Sequence, residues 1–173
     1  MPKRPRYVPL KYLAILLLSA LIPVLVSPTV AAEQGWRWPI SNGDRALIRL
    51  FQAPASTYGA GHRGVDLAAT VGQPVLAPAS GTLVFNGLVA RIPTLVIDHR
   101  GLRSSYQPVQ SPLKVGQAVT AGSVIGVVVE ETATGKAHCA RTCLHFGVRT
   151  ETGYLDPTKL IRATSPVLLP VLG

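Results

Sequence analysis

Acidic side chains are scarce in this chain: eight Asp and Glu stand against seventeen Lys and Arg, for a formal charge of +9 over 173 residues. Despite that charge there is no basic run, no recognition-helix pattern and no aromatic stacking platform on a strand, which argues against a nucleic-acid-binding protein. No window of eleven or more residues carries a clean 3.6-residue apolar period, so a helical bundle is excluded. No Gly-rich phosphate loop precedes a helix and no Gly-x-Ser-x-Gly elbow occurs, which removes nucleotide-dependent enzymes and serine hydrolases of the α/β type. The longest apolar run, "YLAILLLSALIPVLV", has fifteen residues and contains Pro23. That is short of the ~20 residues that span a bilayer.

What is present begins with a processing signal. The basic "MPKRPRYVPLK" leads into that apolar run and then into the small residues of "SPTVAA", the pattern of a secretory leader cut after Ala31 or Ala32. An uncleaved anchor is the alternative. Four of the seventeen basic residues (Lys3, Arg4, Arg6, Lys11) and none of the acidic ones fall in this segment, so its removal lowers the charge from +9 to +5. A positive protein outside the cell favours anionic polymers such as cell-wall glycans or teichoic acids. Export also places Cys139 and Cys143, the only cysteines, in an environment where a disulfide persists.

Hydrophobic residues make up 47% of the chain, with 16 glycines and 15 prolines, which suits one loop-rich β domain. From Arg45 onward the apolar residues come in short runs between turn residues, such as "QPVLAPASGTLVFNGLV", "TLVIDH", "VIGVVVE" and "LHFGVR". These are strand signals, and the expected fold is all-β and antiparallel. Residues 33–44 read as an extended lead-in whose Trp36 and Trp38 pack onto the domain. The domain itself runs over 45–162, and 163–173 form a tail. "VGQPVLA" (71–77) matches "VGQAVTA" (115–121) at five of seven positions. The duplication resembles the barrel-sandwich hybrids of lipoyl and biotinyl domains, without the hairpin-tip lysine that a swinging-arm carrier needs. "YLDPTKLI" reads as a capped terminal turn, with Asp156 as N-cap and Pro157 at the first helical position.

In "YGAGHRGVDLAA", His62 and Asp66 lie four apart with Gly64 between them, so on a strand both project from one face. An imidazole and a carboxylate on one face form part of a zinc-type ligand set. His145 sits in the apolar "CLHFGV", where a buried imidazole needs a partner; a backbone-bonded core histidine is the alternative.

In order along the chain, "GHRGVDLAA", "GQPVLAPASGTLVF", "LVIDHRG", "VGQAVTAGSVIG" and "CLHFGVR" resemble the LytM/lysostaphin-type zinc endopeptidases of bacterial cell walls. The resemblance covers about Trp38 to Leu160. It implies a groove holding one Zn2+ through His62, Asp66 and His145, a peptidoglycan peptide as substrate, and a secreted or wall-associated location in a bacterium. Two family histidines are replaced. The first of the His-x-His strand aligns with Cys143, and that of the Tyr-x-His strand aligns with Pro108 of "SYQPV". A general base must be titratable and within hydrogen-bond reach of the water, which neither replacement satisfies as a matter of course. Candidate stand-ins are Tyr106 at a developing oxyanion, Gln107 as an orienting group and His138 as a base. His99 is expected to be structural, and Glu130 and Glu131 to lie in solvent.

Cys143 has three options: a disulfide with Cys139, a fourth zinc position, or a free thiol. Functionally the resemblance leaves a zinc endopeptidase, or a degenerate module that binds wall peptide or regulates a partner hydrolase. A metal-free structural domain is the weakest reading.

Overall fold

The computed structural model describes residues 1–2, 35–41, 43–56, 59–130 and 139–161. All but the first two residues of the expected leader, together with Glu131, His138 and the tail from 163, lie outside the described residues. Among the described residues no helix is long and apolar enough to cross a membrane.

The fold is all-β, as expected, and both sheets are antiparallel. A short helix α1 (Gly43–Ala46) precedes β1 (Leu47–Arg49), β2 (Gly64–Ala68), β3 (Pro74–Leu76), β4 (Gly81–Val89), β5 (Ile92–His99), β6 (Leu102–Gln107), β7 (Val109–Gln110), β8 (Ala118–Val119), β9 (Val124–Val128), β10 (Cys143–Arg149) and β11 (Tyr154–Leu155). The large sheet runs β1-β2-β10-β6-β5-β4-β8, with β11 added beside β10; the small one runs β3-β9-β7. The late strand β10 therefore inserts between β2 and β6, which joins sequence segments that are far apart.

Alternation decides which side chains face the core. Leu144, Phe146 and Val148 of β10 are buried against Val65 and Leu67 of β2, Tyr106 of β6, and Leu95 and Ile97 of β5. By the two-residue period of a strand, Cys143, His145, Gly147 and Arg149 then project from the other face. Register places His145 opposite both Asp66 and Gln107, Gly147 opposite Gly64 and Ser105, and Arg149 opposite Arg103. The second face of the sheet is thus ruled into rows, and these rows form the groove floor.

The internal repeat is a repeated turn. Gly72 (φ 83°) and Gly116 (φ 89°) occupy the left-handed region, which favours glycine because it carries no Cβ. Gln73 and Gln117 fold back so that their Oε1 atoms accept from the backbone N–H of Thr70 (3.0 Å) and Lys114 (3.2 Å). After the turn the copies diverge: β3 enters the small sheet and β8 extends the edge of the large one.

Both ends of the domain are held down. Trp36 is buried, bridges to Ile161 in parallel, and lies 4.6 Å from the His99 ring between centroids. Trp38 packs against the same core. Asp156 caps the 3-10 turn Pro157–Lys159 by accepting from the Thr158 N–H at 3.0 Å, as its sequence predicts.

Candidate functional site

His62 stands two residues ahead of β2, fixed by paired backbone hydrogen bonds with Gln52. Its Nδ1 lies 2.7 Å from the carbonyl oxygen of Leu50. A carbonyl only accepts, so Nδ1 carries the proton and donates, and in the neutral ring Nε2 presents its lone pair. That nitrogen is 3.0 Å from Asp66 Oδ1 and 3.2 Å from His145 Nδ1, and the last two atoms are 2.8 Å apart. His62 and Asp66 are buried, while the His145 side chain keeps 17% of its surface open to the groove.

Three electron-pair donors at such separations attract a cation into the space between them. Donors on a tetrahedral ion with bonds of about 2.0–2.1 Å stand about 3.3 Å apart. The observed edges fall a few tenths of an ångström short of that. The Leu50 carbonyl supplies the outer hydrogen bond that fixes the tautomer of a ligating histidine. The residues present therefore fit a small divalent ion, and the structure brings together all three of the expected ligands.

The floor beside them is made of glycine for a steric reason. A Cβ on Gly64 would press on the Phe146 carbonyl oxygen and stand 2.8 Å from His145 Nε2. One on Gly147 would stand 2.8 Å from Ser105 Oγ. The absence of side chains at this cross-strand pair lets the His145 ring lie close to β2. Sequence reading noted Gly64 between the two expected ligands, but its contact with residue 145 depends on a pairing that only the fold supplies.

The stand-ins proposed from sequence separate clearly. Gln107 is beside His145 on the groove face, with its amide donating to Thr94 Oγ1 at 2.7 Å. Tyr106 is not there, which corrects the expectation that it could reach an oxyanion. It lies on the core face with no exposed surface, its ring stacked on Phe146 at 5.5 Å. Its phenol donates to Ser104 Oγ at 2.7 Å. Burial pushes the phenol well above the usual tyrosine range, and the hydrogen bond to Ser104 offsets this only in part. His99 is structural, as expected: Nδ1 meets the Ser80 carbonyl at 2.9 Å and Nε2 meets Ser104 Oγ at 2.7 Å. His138 lies outside the described residues.

Of the three options for Cys143, the structure contains the disulfide, with Cys139 as partner and Cα atoms 6.2 Å apart. Neither the zinc-thiolate nor the free-thiol alternative holds in this form. The cystine is nevertheless part of the site, because both sulfurs and an Asp66 carboxylate oxygen lie within 4.8 Å of one another. It forms one wall of a cleft of about 190 Å3, shared with Pro108, Glu130 and Arg141. Glu130 is exposed, as expected, yet lines that cleft.

Comparison with known proteins places the chain in a family. The chain is 40% identical over 151 residues to an uncharacterised protein of Mycobacterium tuberculosis, covering 84% of this chain and 59% of the relative. It is 31% identical over 147 residues to the lipoprotein NlpD/LppB homolog of Pseudomonas aeruginosa, covering 83% and 44%. It thus spans only about half the length of these relatives. A zinc-containing peptidase from Vibrio cholerae shares the fold, with a TM-score of 0.59 at 24% identity over 78% of this chain and 41% of that one. The sequence profile of one family matches residues 60–157, a span that holds His62, Asp66 and His145 together with every strand from β2 to β11. On that match, the chain belongs to peptidase family M23.

Proposed function

We propose that this protein is an exported, zinc-holding member of its family whose groove binds the peptide portion of peptidoglycan without cutting it at an enzyme's rate. His62, Asp66 and His145 hold the ion. When bound, zinc supplies Lewis acidity, which polarises a carbonyl and lowers the pKa of a coordinated water to about 7. The chain's own residues do the rest: the Leu50 carbonyl fixes the His62 tautomer, and the groove floor beside His145 orients an extended peptide.

The observation that carries this reading is the pair of groups next to His145. On one side is the Gln107 amide. Two residues back along β10, on the same face, is the cystine formed by Cys143, which has no thiol left to take a proton. Neither is a base at neutral pH, and losing a positioned acid or base typically costs about 10²–10⁴-fold in rate. A second reading, the zinc endopeptidase, keeps His138, the residue before Cys139 in the sequence, as the candidate base.

The test uses protein purified without chelator. Zinc analysis is expected to give about one equivalent, and His145→Ala less than about a tenth of one. With purified peptidoglycan, the protein is expected to sediment saturably and to release no more new amino termini than the His145→Ala control. Release well above that control, lost in His138→Ala, would establish the endopeptidase instead. Zinc-free protein would remove both.

A further inference from the structure

The groove floor continues past His145 to two arginines. Arg149 of β10 and Arg103 of β6 are directly opposed in register and lie on the same face as His145 and Gln107. Opposed residues on neighbouring strands bring their Cβ atoms to about 4.5–5.5 Å, and like charges so placed destabilise a sheet. Asp98, the cross-strand partner of Arg103 on its other side, accepts from its Nε at 3.3 Å. Glu151 lines the shallow cleft at that end, but among the described residues Arg149 makes no ion pair. The sheet therefore carries a like-charge pair that its own acids only partly relieve.

The same two arginines line a groove of about 490 Å3 together with Gln107, Ser105, Val96 and Phe85. It is continuous with the His145 row, since Gly147 and Ser105 are the only residues of β10 and β6 on this face between the two rows. From His145 to Arg149 is four strand residues, about 13 Å at ~3.3 Å each, which is also the reach of about four residues of extended peptide. Apolar side chains along the wall and paired guanidinium donors at the end suit a peptide that carries a carboxylate. Guanidinium groups take carboxylates in a two-point grip.

We propose that Arg103 and Arg149 form a carboxylate-binding subsite that selects wall peptides bearing a free carboxylate about four residues from the segment lying at His145. This deepens the proposed function and rests on its assignment of the groove to wall peptide.

The test is calorimetric titration of the zinc-loaded protein with a synthetic stem peptide carrying free carboxylates, and with the same peptide fully amidated, each at low and high salt. The free acid is expected to bind roughly tenfold more tightly than the amide, the span of one charge-assisted hydrogen bond, and to lose that advantage as salt rises. Arg149→Gln and Arg103→Gln are each expected to abolish the discrimination, while thermal stability stays level or rises as the repulsion is relieved. A structural role would lower stability instead. Equal binding of both peptides by the unchanged protein, or discrimination that survives both substitutions, would overturn the subsite and leave the wall-peptide reading standing. Binding of neither peptide would overturn both. Tight binding of a polyphosphate polymer with no preference between the peptides would also overturn the carboxylate assignment.

Discussion

Tyr106→Phe tests whether this residue belongs to the core or to the chemistry. The Ser80 carbonyl can only accept, so His99 Nδ1 donates to it and the neutral ring accepts at Nε2 from the Ser104 hydroxyl. Ser104 in turn accepts from the Tyr106 phenol. Proton donation therefore runs one way, from Tyr106 through Ser104 to His99 and out to the backbone, inside a region with almost no solvent. Removing the phenolic hydroxyl leaves a buried lone pair on Ser104 and should cost about 1–2 kcal/mol, read by urea unfolding at neutral pH. Zinc content and wall-peptide affinity should not change.

The pH dependence adds a second check on the same residue. In the folded protein burial raises the phenol's pKa, whereas in the unfolded chain it titrates near 10. The stability it contributes is complete below that value and is lost as pH rises beyond it. At pH 11 the parent should have lost about 1.4 kcal/mol that the Phe variant cannot lose, so the gap between the two should nearly close. A gap that persists at pH 11, or a tenfold fall in zinc or peptide affinity at unchanged stability, would refute the core assignment.

Two further substitutions probe the site's supports. Gly64→Ala should cost about 1–3 kcal/mol by overpacking and at least about tenfold in zinc affinity, because the new Cβ meets His145 and the backbone of its own strand partner. Gly72→Ala, at φ 83° with open space around it, should cost about 1–2 kcal/mol of backbone strain and leave zinc untouched; equal zinc loss in both would refute the steric account. Replacing both cysteines with serine frees a loop with a sequence separation of four. By loop-closure entropy this should lower stability by about 2 kcal/mol, measured by thermal unfolding against the parent with and without reductant, while His62, Asp66 and His145 retain the ion.

The strands, the repeated turn and the pair His62 and Asp66 were legible because each is written in local pattern: period two, a recurring Val-Gly-Gln, and a spacing of four; His145 was drawn to that pair only by the family resemblance, since within its own strand it reads equally as a core histidine. The side on which Tyr106 falls was also legible, though the resemblance drew attention to its aligned position instead. In "LRSSYQ" the alternation sets Leu102, Ser104 and Tyr106 against Arg103, Ser105 and Gln107, and the set with the leucine is the one that packs inward. Two serines in succession blur that pattern. Ser104 is polar and fully buried because it links Tyr106 to His99, a reason visible only once β5 and β6 are paired. The Leu50 carbonyl behind His62 and the opposition of Arg103 to Arg149 left no local trace, since both depend on chain segments that meet only in the folded sheet.

The groove face of β10 holds four different tasks in one strand: Cys143 tethers the loop before it, His145 offers a ligand nitrogen, Gly147 clears the floor and Arg149 carries a charge. With one carboxylate among the three candidate ligands, a divalent ion held there would leave the triad with a net positive charge. At the groove's other end Arg103 and Arg149 stand side by side, with Asp98 paired to Arg103 and Glu151 lining the neighbouring cleft. On the proposed reading, a peptide lying between these ends meets attraction for its carbonyl oxygens at one and for its carboxylate at the other. On the same reading, Pro108 and the cystine of Cys143 act in the same direction, since neither side chain can take a proton from a water at the site.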